Sequence, residues 1–211
     1  MHNHNAAPRT GRLFWYSSIW LARRGTIGTM EIAFVTSNRG KFLELRDTLD
    51  IPLSQVEIDL PEIQELRLAA VVRAKLQAAF SRLHKPCIVE DTSLSLRCLN
   101  GLPGPFIKWF LATVGNEGIY EIARRMGDNH ATATTVIGYC DAKGTPALFR
   151  GEIDGTIVSP QGKQGFGWDA IFQPEGSART FAQMPAEEKA KCSMRAQAVR
   201  QLADFLQSTR S

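Results

Sequence analysis

Glu90-Asp91-Thr92 closes the short apolar run Cys87-Ile88-Val89, and its paired carboxylates are the first chemical signal in the chain. Adjacent negative charges repel unless water, a cation or a hydrogen-bond donor comes between them. A hard divalent cation would do so, since Mg²⁺ binds through one or two carboxylates plus substrate phosphates. Glu62, just after Asp59-Leu60-Pro61, is a further candidate oxygen donor. The same residues also fit a turn in which Asp91 and Thr92 merely cap the backbone. A second polar cluster, Thr36-Ser37-Asn38-Arg39-Gly40-Lys41, follows the apolar run Ile32–Val35 and precedes Phe42, Leu45 and Leu49 at helical spacing. Small hydroxyl and amide residues, a glycine, a helix N-terminus and a lysine offer N–H groups and a cation to a phosphate. They equally make an ordinary helix cap. Neither G-x-x-x-x-G-K-[S/T] nor G-x-G-x-x-G occurs.

Gly165-Phe166-Gly167-Trp168-Asp169 puts glycine on each side of Phe166, so the backbone can approach a ligand closely. Two aromatics there would face a base-sized plane. Lys189, Ser193 and Arg195 lie near the start of a terminal helix whose apolar stripe is Ala190, Met194, Ala198 and Leu202. Gly101-Leu102-Pro103-Gly104-Pro105-Phe106 makes a rigid turn into Ile107-Lys108-Trp109-Phe110, whose aromatics are expected in the core.

These groups need a scaffold of alternating strands and helices. Ile32–Val35, Val56–Leu60 and Cys87–Val89 read as short strands, the last ending in Glu90-Asp91-Thr92. Ala69–Leu83 is helical, and 106–126 reads as two helices divided at Gly115-Asn116-Glu117-Gly118. Ala131–Cys140 and Ala147–Val158 are extended, with turns at 141–144 and 159–162. One helix is expected from Pro185 to about Gln207, with proline in its first turn and acids behind it. The fold class is α/β with a mixed sheet, and polar clusters at strand ends are where such sheets hold ligands.

The 211 residues are 44% hydrophobic and 22% charged, ordinary for a globular chain. The net charge of +4 comes entirely from Arg9, Arg12, Arg23 and Arg24, since residues 31–211 carry 21 basic and 21 acidic groups. A neutral body argues against a nucleic-acid partner, and no apolar run is long enough for a membrane span. Residues 1–30 read as an N-terminal extension: an organelle-targeting segment, or a dispensable stretch ahead of a start at Met30. Residues 31–211 read as one domain. Cys87, Cys98, Cys140 and Cys192 form no Cys-x-x-Cys pair, so they are expected as small reduced hydrophobes in a cytoplasmic protein.

Taken together, Thr36-Ser37-Asn38-x-x-Lys41, Leu60-Pro61-Glu62, Glu90-Asp91-Thr92, the 101–110 turn and Phe166-Gly167-Trp168-Asp169 resemble the Ham1-like inosine triphosphate pyrophosphatase family, from about Ile32 to Leu206. The resemblance implies an elongated mixed sheet whose flanking helices form two lobes around a nucleotide cleft, and usually a homodimer. It implies Mg²⁺-dependent hydrolysis of ITP, dITP and XTP to the monophosphate and pyrophosphate, with Mn²⁺ as a substitute metal. Glu62 and Asp91 would hold the metal. Asp91 would accept the proton of the attacking water, with Glu90 and Lys41 supporting it. Thr36, Ser37, Asn38, Lys41, Lys75 and Thr92 would serve the triphosphate end, and Lys108 and Lys189 would touch the nucleotide. Phe166 would stack on the base, walled by Gly167, Trp168 and Asp169, while Arg195 would donate to the 6-oxo edge.

The chain departs from the family at Ser193-Met194-Arg195, where the family has Ser-His-Arg. Met194 either faces the core harmlessly or alters base selectivity. Ser37 replaces a frequent glycine, which touches only local backbone geometry. Three alternatives are a degenerate member that binds nucleotide without hydrolysis, a Maf-type pyrophosphatase and a single-strand nucleic-acid binder. The Phe-Gly-Trp-Asp and terminal arginine elements disfavour the second, and the neutral body disfavours the third.

Overall fold

Short β-rich runs and Ala-rich helical runs alternate along the chain, and they assemble around a single seven-stranded mixed sheet. The computed structural model describes residues 31–49 and 51–209, so the extension at 1–30 lies outside the described residues. The strands are β1 (Ile32–Val35), β2 (Leu53–Val56), β3 (Cys87–Leu96), β4 (Pro103–Gly104), β5 (His130–Cys140), β6 (Pro146–Ile157) and β7 (Phe172–Pro174). The helices are α1 (Arg39–Thr48), α2 (Leu68–Leu83), α3 (Ile107–Thr113), α4 (Gly115–Met126), α5 (Ala186–Cys192) and α6 (Met194–Ser208). Strand order is β2-β1-β3-β5-β6-β7, with β4 paired to β3. β1 is parallel to β2 and β3, and the other pairings are antiparallel.

Alternation along β3 divides the core at one end of the sheet. Ile88 faces α1 and α6, packing with Phe34, Leu45, Val199 and Leu202. Cys87 and Val89 face α2 with Val72, Leu76 and Ala79. At the other end Leu94, Leu96 and Ile157 pack with Ile119, Trp168, Phe172 and Phe181. The expected mixed sheet with flanking helices is present.

Several expected boundaries shift. The second strand is Leu53–Val56 rather than Val56–Leu60, because its register follows β1 residue by residue. The α3–α4 break comes at Val114, and Gly115–Gly118 form the first turn of α4. The expected single terminal helix is two. Ser193 adopts an extended backbone between them, and its Oγ accepts the Ala196 N–H to cap α6. β3 does not end in Glu90-Asp91-Thr92 but continues to Leu96, paired with β5 along its whole length. Trp109 was expected in the core; it is 62% exposed, because α3 buries only Ile107. Among the described residues, no helix is long and apolar enough to cross a membrane.

Candidate active site

The extension of β3 creates the site. Its edge away from β5 is covered by β1 at Cys87 and Ile88 and by β4 at Leu94 and Ser95. Between those contacts the edge is open, and Glu90, Asp91 and Thr92 stand in the gap. A cleft of about 1060 Å³ opens onto this notch. Its walls hold Thr36, Ser37, Asn38, Lys41, Glu62, Lys75, Lys108, Phe166 to Asp169, Met194 and Arg195 as well. Of the expected site residues only Lys189 is absent from the wall; it is buried just beneath.

Successive strand residues point to opposite faces, so Glu90 and Asp91 do not face each other. The expected repulsion is resolved by geometry, and each carboxylate has its own cations. Glu90 is buried toward α1 and α6. It accepts from Arg195 Nε at 3.0 Å and Nη2 at 3.1 Å, and from Thr92 Oγ1 at 3.0 Å. Lys41 Nζ lies 3.2 Å from Glu90 Oε1. Burial alone would raise the Glu90 pKa, but Arg195 and Lys41 outweigh it and hold the group at about 2. Glu90 is therefore a fixed anion at neutral pH.

From Glu90 a chain of alternating charge runs under the cleft floor. Arg195 also donates to Glu44; Glu44 lies 3.3 Å from Lys189 Nζ, and Lys189 donates to Asp169 at 2.8 Å. Asp169 in turn accepts the Phe166 N–H at 2.8 Å. The Phe166 ring lies over both cations, 4.9 Å from Lys189 Nζ and 5.4 Å from the Arg195 guanidinium carbon. Phe166 is the aromatic that caps this floor. Trp168, expected beside it as a second stacking plane, is buried edge-on against Phe172. Sequence reasoning missed Glu44, whose signal was a carboxylate three residues after Lys41 on the same helix.

On the opposite face of β3, Asp91 Oδ2 and Glu62 Oε1 each lie 3.3 Å from Lys75 Nζ. Lys108 Nζ approaches Glu62 Oε2 at 3.8 Å. Burial lowers the Lys75 pKa, but Asp91 and Glu62 more than offset it, so the pKa is raised and the ammonium stays protonated. Asp91 Oδ1 also accepts the Thr92 N–H at 2.8 Å. Two hard-oxygen donors thus converge on a cation at the mouth of the notch. Among the described residues no group of three or more His, Cys, Asp or Glu could hold a metal.

The β1–α1 turn closes the third side. Thr36 Oγ1 accepts the Asn38 N–H, and Asn38 Oδ1 accepts the Lys41 N–H, each at 3.1 Å. This cap aims the positive end of α1 at the cleft. A Cβ on Gly40 would stand 3.0 Å from the Phe166 ring, so a larger residue at the start of α1 would press on that ring. Met194 is 2% exposed and packs with Trp168, Phe172 and Phe181 while its edge reaches the cleft.

Away from the site, Cys87 and Cys140 face each other in register across β3 and β5. Both are buried, and burial pushes the Cys87 thiol up to about 12. All four cysteines are free thiols.

A family model described as the Ham1 family matches residues 32–205. The chain is 41% identical over 183 residues to an inosine triphosphate pyrophosphatase of Schizosaccharomyces pombe, covering 85% of this chain and 97% of that protein. It is 38% identical over 180 residues to a dITP/XTP pyrophosphatase of Methanopyrus kandleri, covering 83% and 96%. A solved HAM1 protein from Coxiella burnetii superposes with a TM-score of 0.75 at 25% identity, covering 85% of this chain and 99% of that one.

Proposed function

The chain belongs to the Ham1 family, and from that premise we propose that it is a pyrophosphatase of non-canonical purine nucleoside triphosphates. It hydrolyses ITP, dITP and XTP to the monophosphate and pyrophosphate, as the names of its relatives support. The reading without hydrolysis, nucleotide binding alone, is not favoured. One observation carries the proposal: a single notch gathers Glu62 and Asp91 with Lys41 and Lys75.

The triphosphate lies along the β1–α1 turn, where Thr36, Ser37, Asn38, Lys41 and the α1 N-terminus receive it. Lys75 and Lys108 neutralise its outer oxygens. Glu62 and Asp91 would hold Mg²⁺, or Mn²⁺ in its place. Their convergence on the Lys75 ammonium supports that fit, with the remaining ligands drawn from phosphate and water. When bound, the ion neutralises developing charge on the phosphates. Asp91 accepts the proton of the water that attacks the α-phosphorus; the bond to the β-phosphate oxygen breaks, and pyrophosphate leaves. Glu90 takes no proton in this scheme; it fixes Lys41 and Arg195. Phe166 stacks on the base, Lys189 and Asp169 hold its loop, and Arg195 turns its two unspent N–H groups to the 6-oxo edge. Hypoxanthine and xanthine carry an acceptor there, whereas adenine carries an amino donor, a difference of about 1–3 kcal/mol for a good contact.

The homodimer and the cytoplasmic setting belong to the same proposal. Exposed Leu102, Trp109 and Val114 offer apolar surface to a second copy, and unpaired cysteines suit a reducing compartment. The decisive experiment measures pyrophosphate released from ITP, XTP, dITP and the four common triphosphates, with and without Mg²⁺. Metal-dependent release from the first three is expected. Binding without release would restore the degenerate reading, and no nucleotide interaction would defeat both.

A further inference from the structure

The Phe166 loop is held from a direction that none of the residues above accounts for. Gly167 has a left-handed backbone, φ +64°, and its carbonyl meets the start of α4. There Asn116, in the first turn of α4, donates from Nδ2 to the Gly167 oxygen at 3.0 Å. The two residues are 51 apart in sequence. The amide orientation is fixed by this contact, because the reverse orientation would set oxygen against oxygen. As a result Asn116 Oδ1 is buried and has no hydrogen-bond partner among the described residues. A buried acceptor left unmade is unfavourable, so the donor contact to Gly167 is retained against a local penalty.

Leu111, on the same helical corner, lies 3.7 Å from where a Gly167 Cβ would stand. The corner between α3 and α4 therefore braces the loop by one directional bond, with Leu111 standing beside it. α3 also carries Lys108, another lining residue of the cleft. Asn116 thus ties the α3–α4 corner to the Phe166 loop without itself lining the cleft.

We propose that Asn116 is a positioning residue for base recognition: by holding the Gly167 carbonyl it sets the height of the Phe166 ring above Arg195 and Lys189. The inference rests on the pyrophosphatase reading and deepens it. The bond acts on the base end of the substrate and leaves the phosphate end untouched, which distinguishes it from general support of the fold.

Asn116→Ala and Asn116→Asp test it, alongside Asn116→Gln, which keeps the donor. The alanine variant is expected to raise KM for ITP about three- to tenfold, the range of one lost neutral hydrogen bond. The aspartate, setting an anion against the carbonyl, raises it further. In both, kcat stays within about twofold, and inhibition by inorganic tripolyphosphate, which engages only the phosphate end, keeps its Ki. Asn116→Gln restores part of the KM. A wild-type enzyme that is active, with KM unchanged in Ala and Asp, overturns the proposal alone. Parallel losses in KM, kcat and tripolyphosphate inhibition, with a lowered melting temperature, also overturn it, since they report a structural role. A wild-type chain that releases no pyrophosphate from any triphosphate overturns the pyrophosphatase reading, and this inference with it.

Discussion

The two faces of β3 carry the same kinds of charge and treat them oppositely. Toward α1 and α6, the chain from Lys41 through Glu90, Arg195, Glu44 and Lys189 to Asp169 is largely buried; the Glu90 and Arg195 side chains are 1% and 3% exposed. Toward α2, Glu62, Lys75 and Asp91 stand at the open mouth, with Glu62 46% exposed. Buried ions keep their partners because the alternative is an unpaired charge out of water. Exposed ones exchange partners freely because water compensates. On the proposed function, the first arrangement suits recognition, which needs fixed donors, and the second suits chemistry, in which Lys75 would release its carboxylates.

The sharpest way to break this division is Asp91→Asn. The amide keeps an oxygen for the Thr92 N–H but loses the proton acceptor. A fall in kcat of about 10²–10⁴-fold is expected, with thermal stability nearly unchanged. If activity persists, the open face is not where the proton goes.

The buried face predicts the opposite pattern. Arg195→Ala leaves Glu90 with Lys41 and Thr92 alone in a dry site. Loss of one partner of a buried pair typically removes about 3–5 kcal/mol, readable by urea unfolding. Acid gives an independent view of the same chain. The Glu90 pKa falls from 4.5 to about 2 on folding. The stability it contributes is thus fully present above about pH 4.5 and is lost as pH falls from there toward 2. In Glu90→Gln this stretch of the stability curve flattens, and an unchanged acid limb would show that the chain does not hold this face.

Glu62→Gln sharpens the contrast from the open side. Lys75 retains Asp91, and the half-exposed position tolerates an amide, so folding is spared. The Mg²⁺ concentration giving half-maximal rate should rise about tenfold, the scale seen when a metal's surroundings are perturbed. A metal titration of the variant against wild type decides it.

Much of this was readable in the chain, and the rest was not for identifiable reasons. The α2 period and the long β5 and β6 runs announced themselves because local pattern and tertiary role agree there. The polar clusters pointed to residues that the fold brings to one cleft, because each contains a charged or small polar group where an apolar one would be expected. The notch was illegible: it depends on β1 stopping at Val35 and on two-residue β4 returning to the same edge at Gly104, both long-range pairings. Without it, Glu90 and Asp91 looked like neighbours in conflict rather than residues serving two faces. Ser193 stood out only as a polar residue near the start of one expected helix, because the continuous apolar stripe from Ala190 to Leu202 concealed the break. Glu44 and Asn116 act only through partners far along the chain, so no local pattern marks them.

The smallest expected effect bears on the border between the two regions. Met194 begins α6, one residue before Arg195, and its carbonyl oxygen lies so close to Gly151 that a Cβ there would stand 1.8 Å away. The backbone is therefore pinned, and a substitution at 194 changes the side chain without moving Arg195. Met194→His places a ring nitrogen at the edge of the cleft beside the base site, at the expense of apolar packing with Trp168 and Phe172. The kcat/KM ratio of ITP over ATP should rise about three- to tenfold, as for one added hydrogen bond, while the melting temperature falls because a polar ring replaces a thioether in the core. A stable variant whose ratio stays put would mean that base choice rests on the buried chain of Glu90, Arg195 and Glu44 alone. Selectivity would then sit wholly on one face of β3 and hydrolysis on the other.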